Sequence, residues 1–464
     1  MNTENLAYSN GSDSLTVKAL CRDLLWRGVS FNISAADEML RFFQYAQGHD
    51  LEQAVAMYLD SGRRIWTTQR QILAWRFGSL SWGGPILDFA SGYGRVTRHI
   101  VADIPEDRVW VSDIYAEGVA FQERELGVHG IVSTVKPEEF VCDQRFDAIL
   151  VSSLFTHLPK SRFIGWLRRL GSLLNADGIL LFSVHDMSLY KEPAEPQEGI
   201  IFREISESSS LDTCDYGSAW VTESFARSAV EEAIGAYPIL RIPRGLTSFQ
   251  DLYVVIKEEP AKTGATDFSG LQLKRDADGF LEHCSWGGKR SLRLSGWIAD
   301  RVTGQPPQEV RISIDGELTA SCRDLQPRSS LSSIFTDDPA EVVGWQLTVD
   351  LPETADPESA HLSIWGISCR GEDLSLYSGP VAWACLRSAQ LDTVMLRGQL
   401  SRQEALHGEQ LERQKSAYES RLNKSAEEIA ALTSRVRGME ASRFWKARNL
   451  WFRLKRVLGL TEER

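Results

Sequence analysis

Long apolar runs are missing from this sequence. No stretch approaches the ~20 consecutive apolar residues that span a bilayer, and the first ten residues, MNTENLAYSN, contain no apolar segment of the kind found in secretory signals. We therefore expect neither a membrane-spanning helix nor a secretory signal, and a protein located in the cytoplasm.

Cysteine and surplus positive charge are also scarce. The seven cysteines form an odd set without a C-x-x-C pair, which disfavours a disulfide framework or a zinc site and predicts reduced thiols and no metal centre. The net charge of -12 at pH 7 argues against a general nucleic-acid binder. With 464 residues, of which 43% are hydrophobic, the chain is long enough for two or three domains with ordinary cores.

Changes in periodicity divide the chain into six predicted segments. They are a helical cap at 1–80, an α/β domain at 81–257, a Pro/Gly/Thr-rich linker at 258–270, an antiparallel β-sandwich at 271–385, a coiled coil at 386–441 and a basic amphipathic helix at 442–464. In 81–257, strand-like runs alternate with helical ones, which predicts a mostly parallel sheet with helices on both faces. The last two runs, YPILRI and LYVVIK, are too close for a crossover helix and predict an antiparallel hairpin at one sheet edge.

The segment ILDFASGYGR, residues 86–95, has the pattern of a strand, a tight turn and a helix. In such a unit a ligand lies over the carboxyl end of the strand. Dinucleotide enzymes usually carry a third glycine, but Thr97 occupies that position, which favours a cofactor with a ribose and an amino-acid end and no phosphates. The next strand, RVWVSDI, ends in Asp113, whose carboxylate can accept both ribose hydroxyls. The alternatives are that Asp88 and Asp113 only cap backbone groups and that Gly92 and Gly94 only form a turn.

Residues 60–257 resemble the class I S-adenosylmethionine-dependent methyltransferases. Asp88, Gly92 and Gly94 match the glycine motif, Asp113 matches the ribose acid, and FDAILVSSLFTHLP matches the fourth strand and its loop. The resemblance implies a Rossmann-like domain that binds S-adenosyl-L-methionine through Asp88, Ala90, Gly92, Tyr93, Gly94, Asp113, Ile114 and Ser152. The third strand, HGIVSTV, lacks the acid that contacts adenine in many members, so backbone groups, Ser133 or Thr134 are expected to replace it.

Methylation of a hydroxyl needs a base near the carboxyl ends of the central strands. The candidates are His157, in the loop after the fourth strand, and His185 and Asp186, after the fifth. A loop histidine with a purely structural role is the alternative for each ring.

Two segments are expected to cover the substrate. One is the N-terminal helix around Trp66, with Arg63 or Arg64 meeting an anion, and the other is an irregular insert from Tyr190 to Trp220. For Trp66 and the arginines, a core anchor on an exposed helix face is the favoured alternative.

The end of the sequence predicts two interactions. Apolar residues alternate in steps of three and four, which predicts a coiled coil and a dimer or trimer, although Gly408 and Lys415 interrupt its start. The seam residues are Leu411, Tyr418, Leu422, Ser425, Ile429, Leu432, Val436 and Met439. Between Arg443 and Arg456 there are six basic residues and no acid, on a helix with an aromatic apolar face. This composition predicts an anchor on anionic lipid, and packing against the bundle is the alternative.

The tail SRFWKARNLWFRLKR and the β-rich segment resemble parts of bacterial cell-surface polysaccharide enzymes. That resemblance implies O-methylation of a sugar on a lipid-linked glycan or nucleotide sugar, at the inner face of the cell membrane. The alternatives are a small-molecule or protein methyltransferase, and an inactive methyltransferase-fold scaffold for polysaccharide enzymes.

Overall fold

The structure is a computed structural model. It describes residues 6–9, 17, 24–25, 27–46, 51–192, 196, 198–205, 211–247, 249–257, 267–327, 343–357, 360–382, 384–385, 388, 415 and 424–458. The chain divides into two compact units, Met1–Ala389 and Gln390–Arg464. Most of the predicted linker, and the seam residues Leu411, Tyr418 and Leu422, lie outside the described residues.

The N-terminal segment contains strands as well as helices. β1 (Leu6–Tyr8) pairs antiparallel with β2 (Ile33–Ser34), followed by α1 (Glu38–Ala46) and α2 (Leu51–Phe77). The predicted helical cap at 1–80 thus contains its helices and, in addition, one short pair of strands. These strands of two and three residues are too short to show a period of two, and they form because Tyr8 and Ile33 are buried in one apolar cluster with the start of α2.

A nine-stranded sheet forms the centre of the first unit. Its strands are β3 (Ile86–Phe89), β4 (Val109–Asp113), β5 (His129–Val132), β6 (Phe146–Val151), β7 (Leu174–Asp186), β8 (Ile200–Arg203), β9 (Ser218–Val221), β10 (Ile239–Thr247) and β11 (Gln250–Ile256). The main path runs β10-β11-β7-β6-β3-β4-β5, and β3 to β7 pair in parallel. β10 and β11 form an antiparallel hairpin with β10 at the edge, which confirms that prediction.

Apolar side chains cover both faces of this sheet, because successive strand residues point to opposite faces. Leu87 and Phe89 pack on one side with α5 (Lys160–Leu173) and α6 (Glu223–Ala233), whereas Ile86 packs on the other with α2, α3 (Thr97–Asp103) and α4 (Ala116–Leu126). Asp88 shares the α3 side with Ile86. This double cover explains why the parallel strands are nearly continuous apolar runs in the sequence.

Two smaller sheets follow in the first unit. Their strands are β12 (Arg275–Asp276), β13 (Asp278–Trp286), β14 (Ser291–Ala299), β15 (Glu309–Ile314), β16 (Glu317–Cys322), β17 (Gln326–Pro327), β18 (Val343–Asp350), β19 (His361–Ile367) and β20 (Asp373–Pro380). The sheets, β12-β20-β19-β15-β16 and β13-β14-β18-β17, bury one common apolar cluster. All pairs are antiparallel as expected, except β12 with β20. Asp315 and Gly316, with φ of 51° and 84°, make the predicted tight turn between β15 and β16.

The second unit is helical wherever the structure describes it beyond residue 423. A helix over 424–441 ends at Ser442, whose hydroxyl accepts the Trp445 N–H (3.2 Å) and caps α7 (Arg443–Val457). Among the described residues, no helix combines the length and the apolar character that crossing a bilayer requires.

Candidate active site

A cavity of about 550 Å³ opens at the carboxyl ends of β3, β4 and β6. β3 lies between β4 and β6, and the chain leaves β3 for β4 on one side and reaches β6 on the other. A crevice forms where connections diverge in this way, and such a point is the usual ligand site of an open α/β sheet. The remaining wall comes from α1 and from residues 211–216.

The turn after β3 contains three left-handed residues within five positions. Ala90, Gly92 and Gly94 have φ of 59°, 58° and 83°. Glycine adopts this conformation without a steric cost, whereas an alanine there costs about 1–2 kcal/mol. Ser153, after β6, has φ of 66° and also lines the cavity. The strained residues of the described chain thus include one directly after β3 and one shortly after β6, as is common at functional sites.

The two glycines of the turn have different surroundings. A Cβ on Gly92 would meet nothing within 4 Å, and Gly92 lines the cavity. A Cβ on Gly94 would lie 3.1 Å from Gln122 and Leu126 of α4, and Gly94 is not part of the cavity wall. The expectation that Gly94 faces the ligand therefore needs correction: its lack of a side chain lets α4 approach the turn.

Asp88 forms a hydrogen bond with Thr97. The Thr97 hydroxyl lies 2.8 Å from Asp88 Oδ2 and 2.7 Å from Gln122 Oε1, while Gln122 Nε2 donates to the Gly92 carbonyl oxygen (2.9 Å). Burial is the main cause that raises the pKa of Asp88 to about 7. A threonine hydroxyl has one proton and cannot donate to both oxygens. A protonated Asp88 resolves this, because Asp88 then donates to Thr97 and Thr97 donates to Gln122 Oε1. Thr97, at the position where dinucleotide enzymes carry a third glycine, thus fixes the side chain of Asp88 by a hydrogen bond.

Asp113 caps the same turn. Its Oδ2 accepts the Gly92 N–H (2.7 Å) and its Oδ1 accepts the Tyr115 N–H (3.0 Å). Burial raises the pKa of Asp113, and these backbone N–H groups oppose the rise. The Ile114 N–H is a third backbone donor to this carboxylate. A carboxylate has about four acceptor positions, so three contacts leave capacity for one further donor. Capping and ligand binding are therefore compatible at Asp113, which lines the cavity.

Most of the other predicted cofactor contacts also lie in the cavity wall. Ala90, Tyr93, Ile114 and Ser152 line it, and so do Ser133, Thr134 and Val135 after β5. Ser152 Oγ accepts the Gln69 amide (3.2 Å). In the described chain, no group of three or more His, Cys, Asp or Glu side chains is arranged to hold a metal ion.

His157 lies in the cavity wall with a fixed orientation. Its Nδ1 donates to the Gly217 carbonyl oxygen (2.7 Å), and its ring stacks on Tyr216 at 4.5 Å between centroids. Because a carbonyl only accepts, Nδ1 carries the hydrogen, so in the neutral ring Nε2 holds the lone pair. This tautomer has the properties of a general base.

The other two base candidates lie outside the cavity wall. Asp186 accepts the Ser188 N–H and pairs with Arg241 Nη2 (2.8 Å). The His185 ring packs near Trp220 and Phe249, and burial lowers its pKa to about 4. The structure therefore brings His157, but neither His185 nor Asp186, to the predicted cofactor residues.

The expected substrate cover is only partly present. Trp66 is buried and donates to Asp103 (2.8 Å), and Arg63 and Arg64 pair with Asp60 and Asp276 away from the cavity. These residues follow the favoured alternative of a core anchor with exposed neighbours.

The cavity is covered instead by α1 and by part of the insert. The insert is less irregular than predicted, since it contains β8 and β9, and its residues 211, 212, 215 and 216 line the cavity. The α1 side of the wall, which the sequence did not reveal, comprises Asp37, Glu38, Met39, Arg41, Phe42 and Tyr45.

Acidic side chains outnumber basic ones around the cavity. Besides Asp88, which carries the proton described above, the acidic groups are those of Asp37, Glu38, Asp113, Asp212 and Asp215, and the guanidinium groups are those of Arg41 and Arg95. Asp215 is paired with Arg162 (2.9 Å). The wall therefore favours ligands that carry positive charge over anions.

Arg98 fastens the turn from the protein side. The side chain is completely buried and donates to three carbonyl oxygens, those of Gly94 (2.9 Å), Tyr93 (3.3 Å) and Asn32 (3.1 Å). The last bond joins the turn to the segment before α1.

Residues 87–180 match the sequence profile of a family described as a methyltransferase domain. Among solved structures, the glycopeptide N-methyltransferase MtfA with S-adenosylhomocysteine is 16% identical, covering 41% of this chain and 89% of its own, with a TM-score of 0.30. The 1,6-didemethyltoxoflavin-N1-methyltransferase of Burkholderia thailandensis is 19% identical over 48% and 89% of the two chains, with a TM-score of 0.31. No curated protein matches the chain in sequence.

Proposed function

We propose that this S-adenosylmethionine-dependent methyltransferase methylates a hydroxyl of a sugar on a lipid-linked glycan, at the inner face of the cell membrane. The observation that carries the proposal is the single cavity wall that combines the turn of Gly92, the carboxylate of Asp113 and the ring of His157. Such a wall has a place for an amino-acid end, an acceptor for a ribose and a base for a hydroxyl.

The residues present fit S-adenosyl-L-methionine. Open space beside Gly92 allows close approach to the backbone, Asp113 has a spare acceptor position, and the acidic wall suits a cofactor with an ammonium and a sulfonium group. Ser133 and Thr134 would contact the adenine edge, and Ser152 with Ile114 would complete the pocket. When bound, the cofactor supplies a methyl group activated on a sulfonium.

His157 is the proposed base. Its Nδ1–H is held by the Gly217 carbonyl, which keeps Nε2 as the acceptor for a hydroxyl proton. Tyr216 stacks on the ring and restricts its rotation. Because Tyr216 and Gly217 belong to the insert, the same segment that forms the wall also orients the base.

The acceptor end of the cavity suits a sugar. Phe42, Tyr45 and Tyr216 offer aromatic faces for the C–H surface of a sugar ring, and Asp212 offers acceptors for its hydroxyls. The surplus of acidic side chains repels an anion in the cavity. A glycan whose phosphates lie outside the cavity is therefore favoured as acceptor, and a nucleotide sugar is disfavoured. The likeness of the tail and the β-rich segment to polysaccharide enzymes gives the same substrate class.

Two glycine variants, Gly92→Ala and Gly94→Ala, test the cofactor site as a matched pair. Both place a methyl group on a left-handed residue, but only the one at 92 points into the cavity. In calorimetric titration we expect Gly92→Ala to weaken S-adenosylmethionine binding more than Gly94→Ala does. In a thermal melt we expect Gly94→Ala to lower the melting temperature more than Gly92→Ala does.

Asp113→Ala should weaken S-adenosylmethionine binding by about 10- to 150-fold, for a charged hydrogen bond of ~1.5–3 kcal/mol. Equal binding by all three variants would place the cofactor elsewhere.

The same proteins test the reaction. Labelled methyl transfer from S-adenosylmethionine is measured with membrane-extracted lipid-linked glycans, with nucleotide sugars and with peptides as acceptors. Label on the glycan, lost in Asp113→Ala, supports the proposal. Label only on a peptide or a small molecule supports the alternative methyltransferase, and cofactor binding without transfer to any acceptor supports the inactive scaffold.

The second unit supports the proposed location. In the chain described, Ile429, Leu432, Val436 and Met439 are exposed, as are Phe444, Leu450 and Trp451 of α7. We infer that a second copy covers the first group in a coiled coil and that an anionic lipid surface covers the second.

Vesicle co-sedimentation tests the lipid surface. Six basic residues at ~1 kcal/mol each supply several kcal/mol, so binding to anionic vesicles should weaken with salt and disappear in a version that ends at Met439. The variant Lys446→Glu/Arg453→Glu keeps the apolar residues and should lose most binding. Ile429→Asp keeps the basic tail and should lose only the gain from self-association. If the shortened version sediments like the full chain, α7 is not the anchor.

A further inference from the structure

Two cysteine sulfurs lie beside each other at the end of the first unit. The Sγ atoms of Cys284, on β13, and Cys385 are 3.3 Å apart, and both cysteines are free thiols. Cys284 is only 2% exposed, whereas Cys385 is half-buried. Since the two positions are 101 residues apart, folding alone brings the thiols together.

The surrounding contacts hold this arrangement. The Cys284 N–H donates to Ser388 Oγ (2.9 Å), and Ser388 Oγ donates to the Glu282 carbonyl oxygen (3.2 Å). Ser388 is buried, so the segment that carries Cys385 is fixed on β13 from its far side as well. A disulfide requires the sulfurs to approach by about 1.3 Å, to ~2.05 Å.

We propose that Cys284 and Cys385 form a thiol–disulfide site that a small-molecule disulfide, such as oxidised glutathione, closes into an intramolecular bond. In the first step the Cys385 thiolate attacks the small disulfide, forms a mixed disulfide and releases one thiolate. In the second step Cys284 gives its proton to solvent and attacks Cys385 Sγ, which releases the second small thiol. The protein loses two hydrogens, and one small disulfide becomes two thiols.

The positions of the two thiols fix the order of these steps. Cys385 is accessible and accepts a hydrogen bond from the Cys284 thiol, which lowers the pKa of Cys385. The bond to Cys385 and burial together raise the pKa of Cys284. The exposed thiolate therefore meets the oxidant, and the buried thiol resolves the mixed disulfide.

Oxidation would close a ring of about 100 residues that contains β14 to β20. Closing such a ring removes conformations from the unfolded chain, so the oxidised protein is expected to melt several degrees higher. The disulfide would also join β13 to the last residues before the second unit, which begins at Gln390.

Thiol mapping on the full chain tests the proposal. The protein is incubated with oxidised glutathione, its remaining thiols are alkylated, and linked peptides are identified by mass spectrometry. We expect a 284–385 link in the wild type, a stable glutathione adduct at Cys385 in Cys284→Ser, and no link in Cys385→Ser. Cys369→Ser, which removes an exposed cysteine in the turn between β19 and β20, should form the link like the wild type.

Adducts at exposed cysteines without a 284–385 link would overturn the proposal, and so would a glutathione adduct at Cys385 that persists in the wild type. If either serine variant fails to fold, the wild-type map and the melting shift on reduction by dithiothreitol decide alone. None of these readouts depends on methyl transfer.

Discussion

Replacing His157 by glutamine is expected to lower kcat by about 10²- to 10⁴-fold, the usual contribution of a general base. The loss corresponds to roughly 3–5 kcal/mol of transition-state stabilisation. Glutamine can still donate to the Gly217 carbonyl and fill the space beside Tyr216, so the wall should persist. Initial rates on the acceptor identified by the transfer assay, together with calorimetric affinity for S-adenosylmethionine, measure the effect, and the affinity should change little.

The matched control for this variant is His185→Gln. His185 is the same residue type near the end of a neighbouring strand, but it lies outside the cavity wall. Tyr216→Phe, which keeps the stacked ring, should also retain most activity. If His157→Gln keeps kcat within a factor of about three, or if His185→Gln loses as much, the base lies elsewhere or the acceptor needs none.

Asp88→Asn is expected to raise the free energy of unfolding of the cofactor-free protein at pH 8, by up to about 4 kcal/mol at ~1.4 kcal/mol per pKa unit. Burial raises the pKa of Asp88 from 3.8 to about 7, so the folded state keeps a proton that the unfolded state has already released. The stability that Asp88 contributes is therefore complete below pH 3.8 and is lost as the pH rises to 7. Asparagine keeps a donor to Thr97 and does not ionise.

Urea unfolding of the two proteins between pH 4 and 8 measures this difference. Because the other carboxylates are the same in both proteins, their contribution to the pH dependence cancels. The curves should coincide near pH 4 and separate towards pH 8. Saturating S-adenosylmethionine should stabilise the wild type more than the variant, because a cationic ligand favours the ionised aspartate. A difference that does not change with pH would mean that folding does not shift the pKa of Asp88, and the proton assigned to the folded state would be wrong.

The sequence predicted the parts of the fold that depend on local pattern. The strand-like runs quoted for the central sheet and the Asp315-Gly316 turn are present, since buried strands and left-handed turns demand particular residue types wherever they occur. β1, β8 and β9 were missed because short strands are stabilised by their partners, and the partners are distant in sequence.

The candidate site divides in the same way. The turn of Gly92 and the acid at Asp113 follow from one βαβ unit, so the sequence was sufficient. Asp37 and Phe42 reach the cavity because α1 packs against α2 beside it, which no local pattern shows. His157 and Asp186 both follow central strands and are both candidate bases by position, yet Arg241, which pairs with Asp186, comes from β10, 55 residues later.

The bond from Arg98 to the Asn32 carbonyl sets a lower limit on what can fold alone. A fragment that starts at residue 81 would keep every strand of the central sheet, but its buried guanidinium would lose one of three acceptors and its cover of Tyr58, 5.5 Å from that ring. Removal of α2 would also expose the apolar cluster that it covers, which includes Ile86 and Ile100. Such a fragment should therefore melt early and lose the shape of its glycine turn. The smallest autonomous methyltransferase therefore extends upstream at least to the strand at Ile33, well before residue 87.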